Sequence, residues 1–118
     1  MERLNFTSRV LWPKATARLK DHKVTQTIRS RSSSIVLAIN DQRVKPGEAI
    51  QVALDDEFIG YAHFLMMDKV SWGDLGEDDA WRGGFDNRNE LANALRRAGY
   101  RFKPLDEYTL YRCLFTWE

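Results

Sequence analysis

The stretch FIGYAHFLMMDKV, Phe58–Val70, carries the longest β-strand signal in the chain, and Gly60 inside it marks a bulge or bend of the kind small closed barrels use to turn corners. Just upstream, NDQRVKPGEAIQVAL reads as a turn at Pro46 and Gly47 entering another strand, on which Ile50, Val52 and Leu54 alternate inward. Downstream lie two short helices. GEDDAWR has acids in its first turn and stops at Gly83 and Gly84. NRNELANALRRAGY opens with Asn87 and Glu90 at capping-box spacing, carries Leu91, Ala94, Leu95 and Ala98 on one face, and stops at Gly99. Pro104 then breaks the chain, and EYTLYRCLFTW closes it as a strand apolar enough to be covered on both faces.

Toward the N-terminus, LWPKATARLKD reads as a short amphipathic helix, with Pro13 in its first turn and Ala15 and Leu19 on its inner face. KVTQTIR follows as a strand. Its alternation sets Lys23, Thr25, Thr27 and Arg29 on one polar face and Val24, Gln26 and Ile28 on the other. SRSSS is expected to be a loop and IVLAI a buried strand. Helices gathered in two places, rather than alternating with every strand, imply an α+β fold. The expected architecture is a small mixed or antiparallel β-barrel of five to six strands, with one N-terminal helix and a two-helix insertion before the last strand.

A chain of 118 residues, with 43% hydrophobic and 30% charged side chains, fits one globular domain over residues 1–118 and excludes disorder, collagen and coiled coil as global descriptions. No apolar run approaches a membrane span or a leader peptide, so a cytoplasmic, membrane-free protein is expected. The lone Cys113 reads as a small buried hydrophobe, the two histidines complete no metal motif, and neither metal nor cofactor is expected. The net charge of +1 hides an asymmetry: residues 1–50 hold ten Lys and Arg against four acids, and most of the compensating negative charge lies between Asp55 and Glu90. Such segregation can steer a polyanion to one side of a fold, although a solvated face is the ordinary use of a charge run.

The order of these elements, with KPGEAIQV leading into a long strand and GDLGEDDAWRGGFDNRNELANALRRAGY before a last aromatic strand, resembles the ASCH domain. That family belongs to the PUA-like superfamily of small RNA-associated β-barrels, and the resemblance runs from about Leu11 to Trp117. The family signature is Gly, any, Lys, any, any, Glu or Thr, any, Arg. Aligned on Arg29, this chain supplies Thr27 at the Glu/Thr position, Val24 at the lysine position and His22 at the glycine position, with Lys23 one residue early. Some ASCH proteins are amidohydrolases that deacylate N4-acetylcytidine with a nucleophilic lysine, a positioning threonine and a glutamate. Here the segment matching the glutamate reads AWRGGF, with Gly83 at the acid position. A lysine nucleophile also needs a depressed pKa. These departures argue against amidohydrolase activity and leave Lys23 and Thr27 as the weak catalytic candidates.

The resemblance therefore implies RNA or nucleotide binding, of a modified base in some cases, through a basic cleft at the helix–strand junction. Arg29 and Arg31 suit phosphate, with hydroxyls such as that of Ser32 beside them. Lys23, Thr25 and Thr27 would line the cleft, and Trp81 with Arg82 would approach it from the helical insertion. Each has a plainer reading, as solvated loop or as core. Glu77, Asp78, Asp79 and Asp86 read as helix-capping or first-turn acids, Arg96 and Arg97 as partners of a helix terminus, and His63, Met66 and Met67 as packing residues. The alternatives are a hydrolase of modified nucleosides or a ribonuclease, and a protein-interaction adaptor.

Overall fold

Among the described residues ten elements follow one another: β1 (Arg3–Phe6), α1 (Ser8–Lys20), β2 (Gln26–Arg29), α2 (Ser34–Asn40), β3 (Ala49–Leu54), β4 (Glu57–Ser71), a 3-10 turn (Trp72–Asp74), α3 (Glu77–Arg82), α4 (Arg88–Arg97) and β5 (Tyr108–Trp117). The computed structural model describes residues 1–102, 104 and 106–118. The five strands form one mixed sheet in the order β1-β3-β4-β5-β2, curled into a half-barrel with four helices around it. β1 runs parallel to β3, and every other neighbouring pair is antiparallel.

β4 is the spine of this sheet. Its first half pairs with β3 and its second half with β5, and of three register shifts along it two put the extra residue in β4, one leaving Ile59 unpaired against β3 and one leaving Leu65 unpaired against β5, while the third leaves Thr109 of β5 unpaired. The first sits beside Gly60, as the sequence implies. The glycine is required by crowding, because a Cβ there would lie 3.0 Å from the His22 ring and 3.1 Å from Trp117. His22 stacks on Trp117 with ring centroids 3.9 Å apart, and its Nε2 lies 3.1 Å from the Ile59 carbonyl oxygen. The second shift turns Leu65 and Met66 outward, so Met66 is exposed rather than packed.

IVLAI is not a strand. Ser34–Asn40 is a helix that buries Ile35, Val36 and Ala38, half-buries Ile39 and leaves Leu37 exposed. Five consecutive apolar residues fit either period, and burial against the core overrides the β preference of Ile and Val. α1 is also more broken than the sequence implies. Trp12 has φ 64° and ψ 172°; the proline that follows disfavours the helical region at this residue, and Pro13 restarts the helix in the position it favours. Arg97 spans the break, donating from Nε to the Val10 carbonyl oxygen at 2.8 Å while its guanidinium lies 3.7 Å from the Trp12 ring centre.

The core lies on the concave face of the sheet, where Leu4, Ile50, Val52 and Phe115 meet Leu19 and Val24. Cys113 is buried there too, and loss of water pushes its thiol up to about 12, so it stays protonated at neutral pH. The charge asymmetry of the sequence folds back on itself. Lys14 pairs with Asp86 and Glu90, Arg18 pairs with Asp86, and so cations of α1 meet acids at the start of α4.

Candidate functional site

A curled sheet that does not close leaves two edges, here β1 and β2, and the chain bridges them with one side chain. Arg29, at the end of β2, donates from Nη2 to the Asn5 carbonyl oxygen of β1 at 2.9 Å and from Nε to the Thr27 hydroxyl at 2.8 Å. Its guanidinium also lies 4.9 Å from the centre of the Phe6 ring. Beneath this bridge a cavity of about 400 Å³ opens between the two edge strands and α4. Phe6, Phe85, Leu91 and Leu95 form its apolar wall, and Thr27, Arg29, Asp79 and Tyr100 its polar one.

The polar wall is rich in donors. Thr27 accepts from Arg29, so its own hydroxyl proton is free to point elsewhere, and Tyr100 Oη accepts the Ser30 backbone N–H at 3.1 Å, which leaves its proton equally free. Arg29 is half-buried, and among the described residues no carboxylate pairs with it. Withdrawal from water holds its pKa below that of a free arginine, yet a guanidinium remains charged at any physiological pH.

Asp79, on the same cavity wall, is the opposite case. It is 5% exposed; Oδ1 accepts from Gln26 Nε2 at 3.0 Å, Arg82 Nη2 at 2.9 Å and Arg112 Nη1 at 3.1 Å, while Oδ2 accepts the Gly76 N–H at 2.9 Å. Arg82 closes the ring by donating to Gln26 Oε1 at 2.8 Å, and Arg112 also grips Asp68 through two bonds. Burial works to raise the Asp79 carboxyl, but the Gly76, Gln26 and Arg112 hydrogen bonds and the Arg112 charge outweigh it and hold the group below the ordinary range. Asp79 is therefore more than the first-turn acid its position implies: it caps α3 and, from that cap, knits α3 to β2 and β5.

The structure divides the residues singled out from the sequence between two places. Thr27 and Arg29 share the seam cavity, which Gly83 also lines. Lys23 and Trp81 line a separate, shallower groove with Arg18 and Asp86, while Arg82 belongs to the Asp79 ring. Thr25 lies in the extended lead-in to β2, its N–H donating to the Arg82 carbonyl oxygen and its own carbonyl accepting from Phe115. Arg31 and Ser32 are exposed on the turn after β2. The expected polar strand face is thus corrected. β2 is only Gln26–Arg29, and Gln26, Thr27 and Ile28 are all buried, because the cavity and the Asp79 ring supply polar partners inside the fold. Val24, at the lysine position, is fully buried and packs where a Cβ on Gly84 would come within 2.9 Å of it. Tyr100 and Gln26 went unnoticed as site residues, since their roles depend on contacts 70 and 53 residues distant in sequence.

No family model and no curated protein matches the chain. Solved structures resemble its fold, two of them as follows. Protein EF3133 from Enterococcus faecalis V583, described as family model DUF984, superposes with a TM-score of 0.62 at 12% identity, covering 100% of this chain and 76% of that one. The ASCH domain from Lactobacillus crispatus JV V101 superposes with a TM-score of 0.53 at 14% identity, covering 88% of this chain and 69% of that one. The fold is that of an ASCH domain. In this ASCH-like fold the seam cavity lies between β2, the strand that follows the first helix, and α4 of the helical insertion, while the helix–strand junction itself carries Lys23 and the shallower groove.

Proposed function

We propose that the seam cavity binds a nucleotide unit, free or within RNA, with phosphate on Arg29 and the base and sugar against the apolar wall. One observation carries this reading: the Arg29 guanidinium is drawn out of water beside a cavity, with no acid paired to it among the described residues. A desolvated cation without a counter-charge attracts an anion strongly, and a guanidinium matches phosphate geometry. Thr27 and Tyr100 add hydroxyl donors within the same wall, and a mixed apolar and polar lining of about this size suits a small organic anion. The link of ASCH domains to RNA supports the choice of nucleotide over other anions.

Hydrolysis is the weaker reading. A general acid or base needs a pKa near the working pH, and Asp79, the carboxylate on the cavity wall, is held ionised by two arginines and an amide. Lys23 lines the other groove, and Val24 is core. The protein is expected to release no acetate from N4-acetylcytidine, whereas turnover abolished by Lys23→Ala would reverse this reading. Calorimetric titration with nucleosides and their monophosphates tests the binding reading directly. The monophosphate should bind at least tenfold more tightly than its nucleoside, and equal affinities would remove Arg29 from the recognition.

A further inference from the structure

Across Phe85 from the seam cavity lies the shallower groove, of about 250 Å³, and Phe85 lines both. Most of its charge is already spent. Asp86 pairs with Lys14 and Arg18, and Arg18 also donates to the Gly84 carbonyl oxygen at 2.9 Å. Lys23 is the exception. Its backbone N–H donates to the Arg18 carbonyl oxygen, which fixes its root beside the groove, but among the described residues no acid pairs with its exposed ammonium.

Trp81 is the other unspent group. It is 59% exposed, although it follows the buried Asp79 and Ala80 on a helix tied to the fold. Its indole N–H donates to the Asp86 carbonyl oxygen at 2.9 Å, so the ring is held in one orientation instead of lying loose on the surface. A fixed, exposed indole beside an unpaired ammonium has the two parts of a single-strand subsite: a stacking platform that accepts any base and a cation for the backbone.

We propose that the ligand is a single strand of nucleic acid that crosses the Gly83–Phe85 turn, placing one nucleotide in the seam cavity, the neighbouring base on Trp81 and backbone phosphate at Lys23. This rests on the nucleotide reading of the seam cavity and extends it from a mononucleotide to a strand. Two adjoining subsites on one backbone add their binding energies without paying twice for association. An oligonucleotide should therefore bind more tightly than any monophosphate.

Fluorescein-labelled RNA and DNA octamers of the same mixed sequence, with AMP and UMP measured by calorimetry, provide the test on the full chain. The tighter octamer should exceed the monophosphates by tenfold or more. Trp81→Ala should weaken that octamer about tenfold, Trp81→Phe should recover most of the loss, and Lys23→Gln should weaken it about fivefold, with monophosphate affinities unchanged within twofold. Arg29→Gln, checked by thermal melting to be folded, should weaken both kinds of ligand. If Trp81→Ala leaves octamer binding intact while Arg29→Gln removes monophosphate binding, the strand path is overturned and the seam reading stands. If Arg29→Gln affects neither ligand, the seam reading fails and the two-subsite path fails with it, even where Trp81→Ala still weakens the octamer.

Discussion

Arg29 and Arg112 stand on neighbouring strands, β2 and β5, and Arg112 pairs in register with Ile28, next to Arg29. Their surroundings differ completely. Arg112 donates to Asp68 twice and to Asp79 once, and those bonds hold its pKa above that of a free arginine even though burial opposes them. Arg29 reaches one carbonyl and one hydroxyl, meets no acid among the described residues, and has its pKa lowered by burial. Burying a charge costs several kcal/mol unless partners offset it. The fold supplies those partners to Arg112 and withholds them from Arg29, and the proposed anion site rests on that contrast.

The sharpest way to break the contrast is to add a cation that has neither partners nor a cavity. Val24→Lys restores the lysine of the family signature at a fully buried position packed against Gly84. It should cost more than about 4 kcal/mol, read by urea unfolding, because burying an unpaired charge belongs to the few mechanisms that reach such values. Stability within about 1 kcal/mol of the parent would mean that the site opens to water and that the lysine position belongs to the cavity after all.

Removing the hub of the compensated cluster comes next. Asp79→Ala deprives Arg82, Gln26 and the Gly76 N–H of their acceptor but leaves Arg112 its pair with Asp68, so the loss should lie at the lower end for a broken buried pair, about 3 kcal/mol. The pH dependence has a definite sign. Since the folded pKa of Asp79 lies below 3.8, its contribution is present above that value and is lost as pH falls through the lower folded pKa. Stabilities of the parent and Asp79→Asn, compared from pH 7 to pH 2, should converge at the acid end; a gap that widens on acidification would contradict the assignment.

How far the sequence reveals these two regions depends on the range of the contacts that build them. The α3–α4 boundaries follow from local chemistry: the acids of the first turn, the Asn87 side chain accepting the Glu90 N–H at 2.9 Å, and the glycines that end each helix. Gly60, the Pro46–Gly47 turn and the long strands are legible for the same reason. α2 is misread because Ile35–Ile39 suits two periods, and which one forms is decided by residues far along the chain. Arg29 and Thr27 are picked out as site residues by their place in a motif. The Asp79 ring is invisible to that reasoning, since Gln26 and Arg112 reach Asp79 from 53 and 33 residues away. Trp81 and Arg29 look like parts of one cleft in the sequence, and only the position of Phe85 shows that they line two.

Within the receptive region, Arg29→Gln keeps a planar donor but discards the charge. Monophosphate binding should weaken by about 1.5–3 kcal/mol, the range for a hydrogen bond to a charged group. The folded state loses two hydrogen bonds to neutral acceptors and the contact with Phe6 but is relieved of an uncompensated buried charge, which offsets most of that loss, so unfolding stability should fall by only about 1 kcal/mol. That ratio is the signature of a receptive cation. A larger loss in stability than in binding would instead make Arg29 a seam clasp, of the same kind as Arg112.

The smallest effect is expected at Arg31, two residues beyond Arg29 yet exposed on the turn. Both arginines suit phosphate on sequence grounds, but water screens Arg31, and exposed ionic contacts contribute under about 1 kcal/mol. Arg31→Ala should therefore weaken an RNA octamer less than fivefold at moderate salt. Its trace should be clearer in the salt dependence: losing one phosphate contact on a single strand reduces the log–log slope by about 0.7. Arg29→Gln should reduce the slope by a similar amount while costing far more affinity, because counterion release counts charges whereas the direct bond depends on desolvation. Anisotropy titrations at four or five salt concentrations separate the two quantities. Equal affinity losses from both substitutions would show that the seam gives Arg29 no advantage over a surface charge.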